Sequence, residues 1–386
     1  MPVPPHFFRT MAPSLKILQT CFSASWGGLE MQAIELSRQL HARGHEVWLA
    51  APSGSRLAQK ADGFPFTLLP LPVRGYIHPL LAWRLARFIR QNRIDVIHCQ
   101  HSRDLATVIP AQQLAGGTVP TLLSKRMGSY VRKKDLFHRY TYGHLRYVLA
   151  ISDVIQRNVL ETTPMTADRV LTLHDAVDLT IFDPKKVDRV ATRGSFGVDD
   201  ETPVIGFVGR FSPGKGHEEI LDAAKILSDR GLDFRLVIVG EASHGEEAYA
   251  AAIKEKAARL DMGARVHFAG YRADVPAVMS AFDLFAFPSH AESFGVVLIE
   301  AMAMRRAVVA TICDGVVDIV VDRLTGLMVP PRQAVPLADA LGRLLRDPAM
   351  ARRMGESGRQ RVEELFDQRK QIDRLETIYR DVIADT

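Results

Sequence analysis

Val204-Ile-Gly-Phe-Val-Gly209-Arg210-Phe-Ser-Pro-Gly214-Lys215-Gly216-His-Glu-Glu-Ile220 is the stretch that decides the fold class. Its first five residues are apolar without alternation, as in a strand covered on both faces, and the glycine-rich turn after them opens an amphipathic helix reaching Asp229. A second apolar run over 234–239 closes a strand–helix–strand unit. Toward the C-terminus, helices over 246–260, 275–281 and 294–304 alternate with strands over 266–268, 284–287, 308–311 and 327–329. Toward the N-terminus the pattern repeats. Strands over 15–22, 45–51, 66–71, 95–99, 121–124, 147–151 and 170–174 are interleaved with helices over 28–43, 79–92 and 103–114 and one from Asp153. Such alternation predicts an α/β chain with two doubly wound, Rossmann-like domains facing across a cleft, where ligands meet the carboxyl ends of the strands. The boundaries read as an N-terminal domain over 1–177, an irregular linker over 178–200 and a C-terminal domain over 201–365. A charged amphipathic helix over 348–383 ends the chain, its last part (366–386) crossing back to the first domain.

Composition bounds the function. With 386 residues, 47% apolar and 24% charged, the chain is neither disordered, collagenous nor a coiled coil. No apolar run approaches the roughly 18 residues that cross a bilayer. The start, residues 1–13, carries one Arg, several Pro and no apolar stretch, which argues against secretion. Cys21, Cys99 and Cys313 form no Cys-x-x-Cys pair, so the reading is cytoplasmic, without a disulfide framework. Charge is unevenly spread: residues 1–185 hold 22 Lys/Arg against 13 Asp/Glu. The two halves are thus expected to face different partners.

The turn at 209–216 presents backbone N–H groups and the positive end of a helix to an anion, with Arg210 and Lys215 adding two full charges. It nearly spells a P-loop, but Gly216 stands where a magnesium-binding hydroxyl belongs. A dinucleotide fingerprint also fails for want of a third glycine, which disfavours an oxidoreductase. The bland alternative is a tight turn with two solvated cations. In Phe287-Pro-Ser-His290-Ala-Glu292-Ser293-Phe294-Gly295-Val-Val-Leu-Ile-Glu300, the helix is apolar on every side except at Glu300. A buried carboxylate needs a partner. Either a core arginine supplies it, with Glu292 capping the helix, or a ligand diol does, with Glu292 at the mouth of the strand. Trp26-Gly27-Gly28 lies between the first strand and its helix, where glycines let backbone approach a phosphate or sugar. His98 and His101 fall on opposite faces of a strand, so a metal site there is rejected and one histidine is expected at the strand tip. Seven Lys/Arg between Lys125 and Arg146 face the single acid Asp135, a surface suited to anionic lipid or a phosphorylated acceptor. No nucleic-acid recognition module accompanies it.

Gly209-Arg210-Phe-Ser-Pro-Gly-Lys215-Gly216 paired with Glu292 and Glu300, with seven residues between them, resembles retaining glycosyltransferases of family four, which have the GT-B fold. Trp26-Gly27-Gly28, Val177-Asp178-Leu-Thr-Ile-Phe182 and Asp314-Gly315-Val-Val-Asp318 with Thr325-Gly326 resemble further family segments, so the likeness covers nearly the whole chain. The resemblance implies Arg210 and Lys215 on the diphosphate of a nucleotide-diphosphate sugar, UDP-sugar favoured. It implies Gly27, Gly28, Ser293, Phe294 and Gly295 around the donor, Glu300 on the ribose hydroxyls and Glu292 on the donor sugar. It also implies retention, no required metal or other cofactor, and His101, Lys125 and Arg126 on the acceptor side. Three segments depart from the pattern: His174-Asp175-Ala176 replaces an Asn-Gly, Asp318 replaces Glu, and Ser124-Lys125-Arg126 stands where many relatives place a histidine. The last hints at an anionic carbohydrate or lipid-linked acceptor of lipopolysaccharide or surface-polysaccharide type, met in the cytoplasm or on the inner membrane face. The alternatives are a nucleotide-sugar epimerase or hydrolase on the same scaffold and a non-catalytic protein that binds anionic surfaces.

Overall fold

The computed structural model describes residues 13–73, 75 and 78–386, so most of the segment read above for a secretion signal lies outside the described residues. Among the described residues, thirteen strands form two sheets. The first contains β1 (Lys16–Thr20), β2 (Glu46–Pro52), β3 (Thr67–Leu71), β4 (Val96–Cys99), β5 (Thr121–Lys125), β6 (Tyr147–Ala150) and β7 (Val170–Thr172), in the order β3-β2-β1-β4-β5-β6-β7. The second contains β8 (Val204–Val208), β9 (Arg235–Val239), β10 (Val266–Gly270), β11 (Leu284–Phe287), β12 (Ala307–Thr311) and β13 (Gly326–Val329), in the order β10-β9-β8-β11-β12-β13. Every pairing is parallel. Each sheet reverses direction beside its first strand, β1 or β8, which is the switch point at which open α/β sheets bind ligands.

The chain divides into two compact units. One holds residues up to 150, 155–172 and 372–386; the other holds 151–154 and 173–371. In the second unit, the helix His217–Asp229, expected from the sequence, buries Ile220, Leu221, Ala223, Ala224 and Leu227, a stripe at i, i+3, i+4, i+7 spacing. Each fully buried Leu or Ile contributes about 1.5–3 kcal/mol. That face meets the helix Ala334–Arg346, and Gly342 lets the two close, because a Cβ there would lie 3.0 Å from Leu227 Cδ2. Gly206 in β8 has a stricter reason: a Cβ would sit 2.0 Å from the Phe282 ring.

Among the helices not foreseen from the sequence are Arg56–Ala61, Leu136–Gly143 and Arg189–Ser195. Ser55, Asp135 and Asp188 cap them, each side chain accepting the N–H three residues on. The third lies in the stretch read as an irregular linker. There Arg193, 1% exposed, donates to the carbonyls of Asp199 (2.8 Å) and Ala281 (2.9 Å) and to Asp283 (3.2 Å). Arg189 also donates to Asp283, at 2.6 Å. Residues 178–200 are therefore packed into the second unit. The final helix, expected to be continuous, breaks into Pro348–Leu365 and Gln368–Ala384. Phe366 is fully buried, its carbonyl accepts from Val177 N–H, and Gln368 N–H donates to Val177 O, so strand-like pairing replaces helical bonds at the break.

Candidate active site

The turn after β8 is fixed by its backbone. Gly209 N–H donates to Val239 O (3.0 Å), Phe211 N–H to Glu241 O (3.0 Å), and His290 N–H to Gly214 O (2.8 Å). Gly216 is the residue before the first turn of the helix His217–Asp229, with φ +86°, and a Cβ there would lie 2.3 Å from Pro288 O. Only glycine meets both demands. The turn so held sets Lys215 Nζ 2.6 Å from Glu292 Oε2, both side chains about a quarter exposed, at 27% and 22%. Arg210 is exposed and donates to Ser243 Oγ at 3.1 Å.

The helix Val296–Ala303 begins after Gly295, which is left-handed at φ +105°, and no side chain caps its first turn. Gly315 packs under that start, where a Cβ would lie 2.2 Å from Ser293 O, and its N–H donates to Glu292 O (2.9 Å). Glu292 N–H in turn donates to Asp314 (3.1 Å). Two helix N-termini without side-chain caps thus flank one cavity of about 310 Å³. Arg210, Lys215, Ser289, Val296, Val297 and Glu300 are among its lining residues. Uncapped N–H groups and two cations form an anion-attracting wall.

Glu300 does not have the core arginine that the sequence left open as one of its two partners. Among the described residues no arginine or other group pairs with its carboxyl, and burial alone raises its pKa to about 7. Glu292 does not cap the helix; it is held by Lys215. Phe294 contributes backbone at the site, since its ring is buried and stacks on His174 with centroids 5.6 Å apart. The carbonyl of Ser293 is taken by Ser152 Oγ at 2.6 Å.

Of the other residues near the site, His174 and Asp318 were singled out from the sequence as departures from the family pattern, whereas His290, His217 and Asp153 were given no role there. His290 Nε2 lies 2.8 Å from Glu219 Oε1, and His290 stands two residues before Glu292 in the same loop, a proximity that could have flagged it. His217 is fully buried against Phe207 and Phe211, with neither ring nitrogen hydrogen-bonded, and burial lowers its pKa to about 4. Asp153, His174 and Asp318 bring ligand-type atoms within 4.8 Å of one another. Asp318 already accepts from Asp153 N–H at 2.7 Å.

In the first unit, Gly27 precedes the helix Gly28–Ala42 in an extended conformation, and nothing lies within 4 Å of where a Gly28 Cβ would project. That space leaves room for a ligand atom. His98 is structural: it is buried, with Nδ1 2.6 Å from Tyr379 OH and Nε2 2.9 Å from Ser124 Oγ. Burial, helped by Arg126, lowers its pKa to about 3. His101 lies past the end of β4, 25% exposed, with Nδ1 3.6 Å from the fully buried Asp104. Lys125 ends β5, is 9% exposed, and is lowered to about 8 by burial and by Lys133. Arg126 follows it at the same edge.

The two parallel α/β sheets are the architecture of GT-B glycosyltransferases, and the comparisons identify the chain as a glycosyltransferase of the kind that uses a nucleotide sugar. The description "Glycosyl transferases group 1" matches residues 188–361 and "Glycosyltransferase Family 4" matches residues 26–181. The chain belongs to glycosyltransferase family 4. It is 26% identical to N-acetyl-alpha-D-glucosaminyl L-malate synthase of Bacillus anthracis over 96% of this chain and 98% of the relative. It is 33% identical to D-inositol 3-phosphate glycosyltransferase of Nocardia farcinica over 68% of this chain and 56% of the relative. The crystal structure of Anabaena Alr3699/HepE in complex with UDP has the same fold at TM-score 0.82, with 22% identity over 95% of this chain and 100% of that one.

Proposed function

We propose that this glycosyltransferase moves a sugar, with retention of anomeric configuration, from a nucleoside diphosphate sugar bound by the second unit to an acceptor bound by the first. The observation that carries the reading is the unpartnered Glu300 carboxyl in a cavity walled by Arg210 and Lys215. A ribose offers two hydroxyl donors to such a carboxylate, and a diphosphate offers its charge to the two cations. Glu292, steered by Lys215, receives donor-sugar hydroxyls. The bond from the anomeric carbon to the β-phosphate oxygen breaks while the acceptor oxygen bonds on the same face. The acceptor proton passes to the departing phosphate. Arg210, Lys215 and the helix N-termini offset the charge that develops there, a role that needs no metal ion.

UDP is the first nucleotide to test, because the Anabaena protein of the same fold was crystallised with it. The acceptor is a carbohydrate or lipid-linked carbohydrate of surface-polysaccharide or lipopolysaccharide type, or another anionic hydroxyl compound. The names of both relatives carry an anion, L-malate in one and inositol 3-phosphate in the other. Met127, Tyr130, Val131 and Leu136 are exposed beside Arg132 and Lys134, a composition suited to an anionic membrane surface. No helix among the described residues is long and apolar enough to cross a membrane. A thermal-shift panel of UDP-, GDP- and ADP-sugars tests the donor. The cognate donor at about 100 times its dissociation constant stabilises by roughly 2.7 kcal/mol. No shift with any nucleotide sugar would overturn the reading, and donor breakdown that no acceptor accelerates would favour an epimerase or hydrolase.

A further inference from the structure

The helix His217–Asp229 starts with Gly216 at its N-cap, a residue with no side chain to satisfy the first N–H groups. Glu219 is the third residue of this helix, the position from which a carboxylate ordinarily folds back onto the N-cap N–H, as in a capping box. Glu219 does not make that bond. Its Oε1 lies 2.8 Å from His290 Nε2, and its Oε2 is buried without a hydrogen-bond partner among the described residues. A carboxylate only accepts, so Nε2 of His290 carries the proton and donates it. The other acid of this first turn, Glu218, is also drawn aside, accepting from Tyr249 OH at 2.7 Å.

His290 is set in place by backbone, independently of Glu219. Its N–H donates to Gly214 O at 2.8 Å, and its Nδ1 lies over the same turn, 3.9 Å from where a Gly214 Cβ would stand. Two residues earlier, Pro288 O lies 2.3 Å from the Cβ position of Gly216, so loop and helix start are in close backbone contact. The imidazole is thereby presented to Glu219, with the two side chains 20% and 15% exposed.

Two partners compete for the Glu219 carboxylate. Folded back, it would cover the Gly216 N–H and set a negative charge on the helix N-terminus, which would repel an anion from that end. Held by His290, it leaves those N–H groups open beside the cavity that Arg210 and Lys215 line. We infer that His290 is a positioning residue that holds Glu219 off the helix N-terminus and so keeps the diphosphate site open. The inference rests on the proposed function and adds to it a side chain that acts through Glu219 rather than by contact with the donor.

Isothermal calorimetry tests it by reading UDP and uridine binding to the full chain and to His290→Ala, His290→Gln, Glu219→Ala and the double variant His290→Ala with Glu219→Ala. In His290→Ala the freed carboxylate caps the helix, and the UDP dissociation constant rises about fivefold, the size of one helix cap. The double variant returns to within twofold of the wild type, a rescue that lost packing at His290 would not give. Glu219→Ala alone does not weaken UDP, and His290→Gln, whose amide still donates to Glu219, stays within twofold. Uridine, which has no diphosphate, binds within twofold throughout. Amide hydrogen exchange of the unliganded protein supplies a readout that needs no donor: the Gly216 N–H exchanges more slowly in His290→Ala and at the wild-type rate in the double variant. If His290→Ala does not fold, His290→Leu takes its place. UDP affinity unchanged in the folded His290 variant, or a loss that persists in the double variant, overturns the inference. Failure of the wild type to bind UDP counts against the donor site instead, and Gly216 exchange then decides, an unchanged rate in the His290 variant overturning the inference.

Discussion

Glu300 gives the sharpest handle on the donor site. Its carboxyl has no partner among the described residues and lines the cavity, and burial raises its pKa to about 7, so it should be about half ionised at neutral pH. If the ribose hydroxyls donate to the ionised form, nucleoside binding pulls the carboxyl into that form and releases a proton. Below pH 7 only the ionised fraction binds, about one tenth of the protein at pH 6 and about nine tenths at pH 8, so affinity should rise roughly tenfold across that window. Uridine is the informative probe, since it carries the ribose without a phosphate that titrates in the same range. Isothermal calorimetry in two buffers of different ionisation enthalpy reads both the affinity and the proton count. In Glu300→Gln the pH dependence should vanish and uridine should bind more weakly at pH 8. The unliganded protein supplies the mirror image. The folded-state pKa lies above the ordinary glutamate value of 4.5, so the folded state holds the proton longer and stability falls as pH rises from 4.5 through 7. Glu300→Gln should thus stabilise the empty protein at pH 8 by up to about 3 kcal/mol and leave it unchanged at pH 4. A tenfold rise in uridine affinity that persists in Glu300→Gln would refute this assignment.

Lys215→Met should lower kcat/KM on the order of 100-fold, as for loss of one oxyanion donor, and Glu292→Ala should do likewise; a coupled assay of nucleotide release checks both, and near-wild-type rates contradict the roles. Because Lys215 and Glu292 are paired at 2.6 Å, their effects should be less than additive in the double variant. Gly216→Ala combines a φ of +86° with a Cβ 2.3 Å from Pro288 O, so it should destabilise by about 2–4 kcal/mol in urea denaturation and weaken UDP binding. His217, held neutral by burial with a pKa of about 4, keeps the folded state short of a proton below pH 6.5, so stability falls as pH drops from 6.5 through 4; His217→Phe should remove up to about 3 kcal/mol of that acid loss, seen as a flatter melting-temperature profile.

The two-sheet architecture was legible because long apolar runs such as Val204–Val208 and glycine-set turns repeat along the chain, and parallel strands need no partner information to be recognised. Short helices such as Arg189–Ser195 escaped because they carry no full amphipathic period, although Asp188 three residues before Ala191 was a readable cap. The break at Phe366 was hidden in the sequence, since it depends on backbone pairing with Val177. In the site, Lys215, Glu292 and Glu300 were readable from spacing. The ion pair of Lys215 with Glu292, the raised pKa of Glu300 and the burial of Lys125 required tertiary contacts that no local pattern encodes.

A crystal structure of the UDP complex confronts the account with a single observation. Diphosphate oxygens within hydrogen-bond reach of Lys215 Nζ and the Arg210 guanidinium, with both ribose hydroxyls on Glu300, are the expected result. A ribose that leaves Glu300 untouched, or a diphosphate bound away from those two cations, would contradict it.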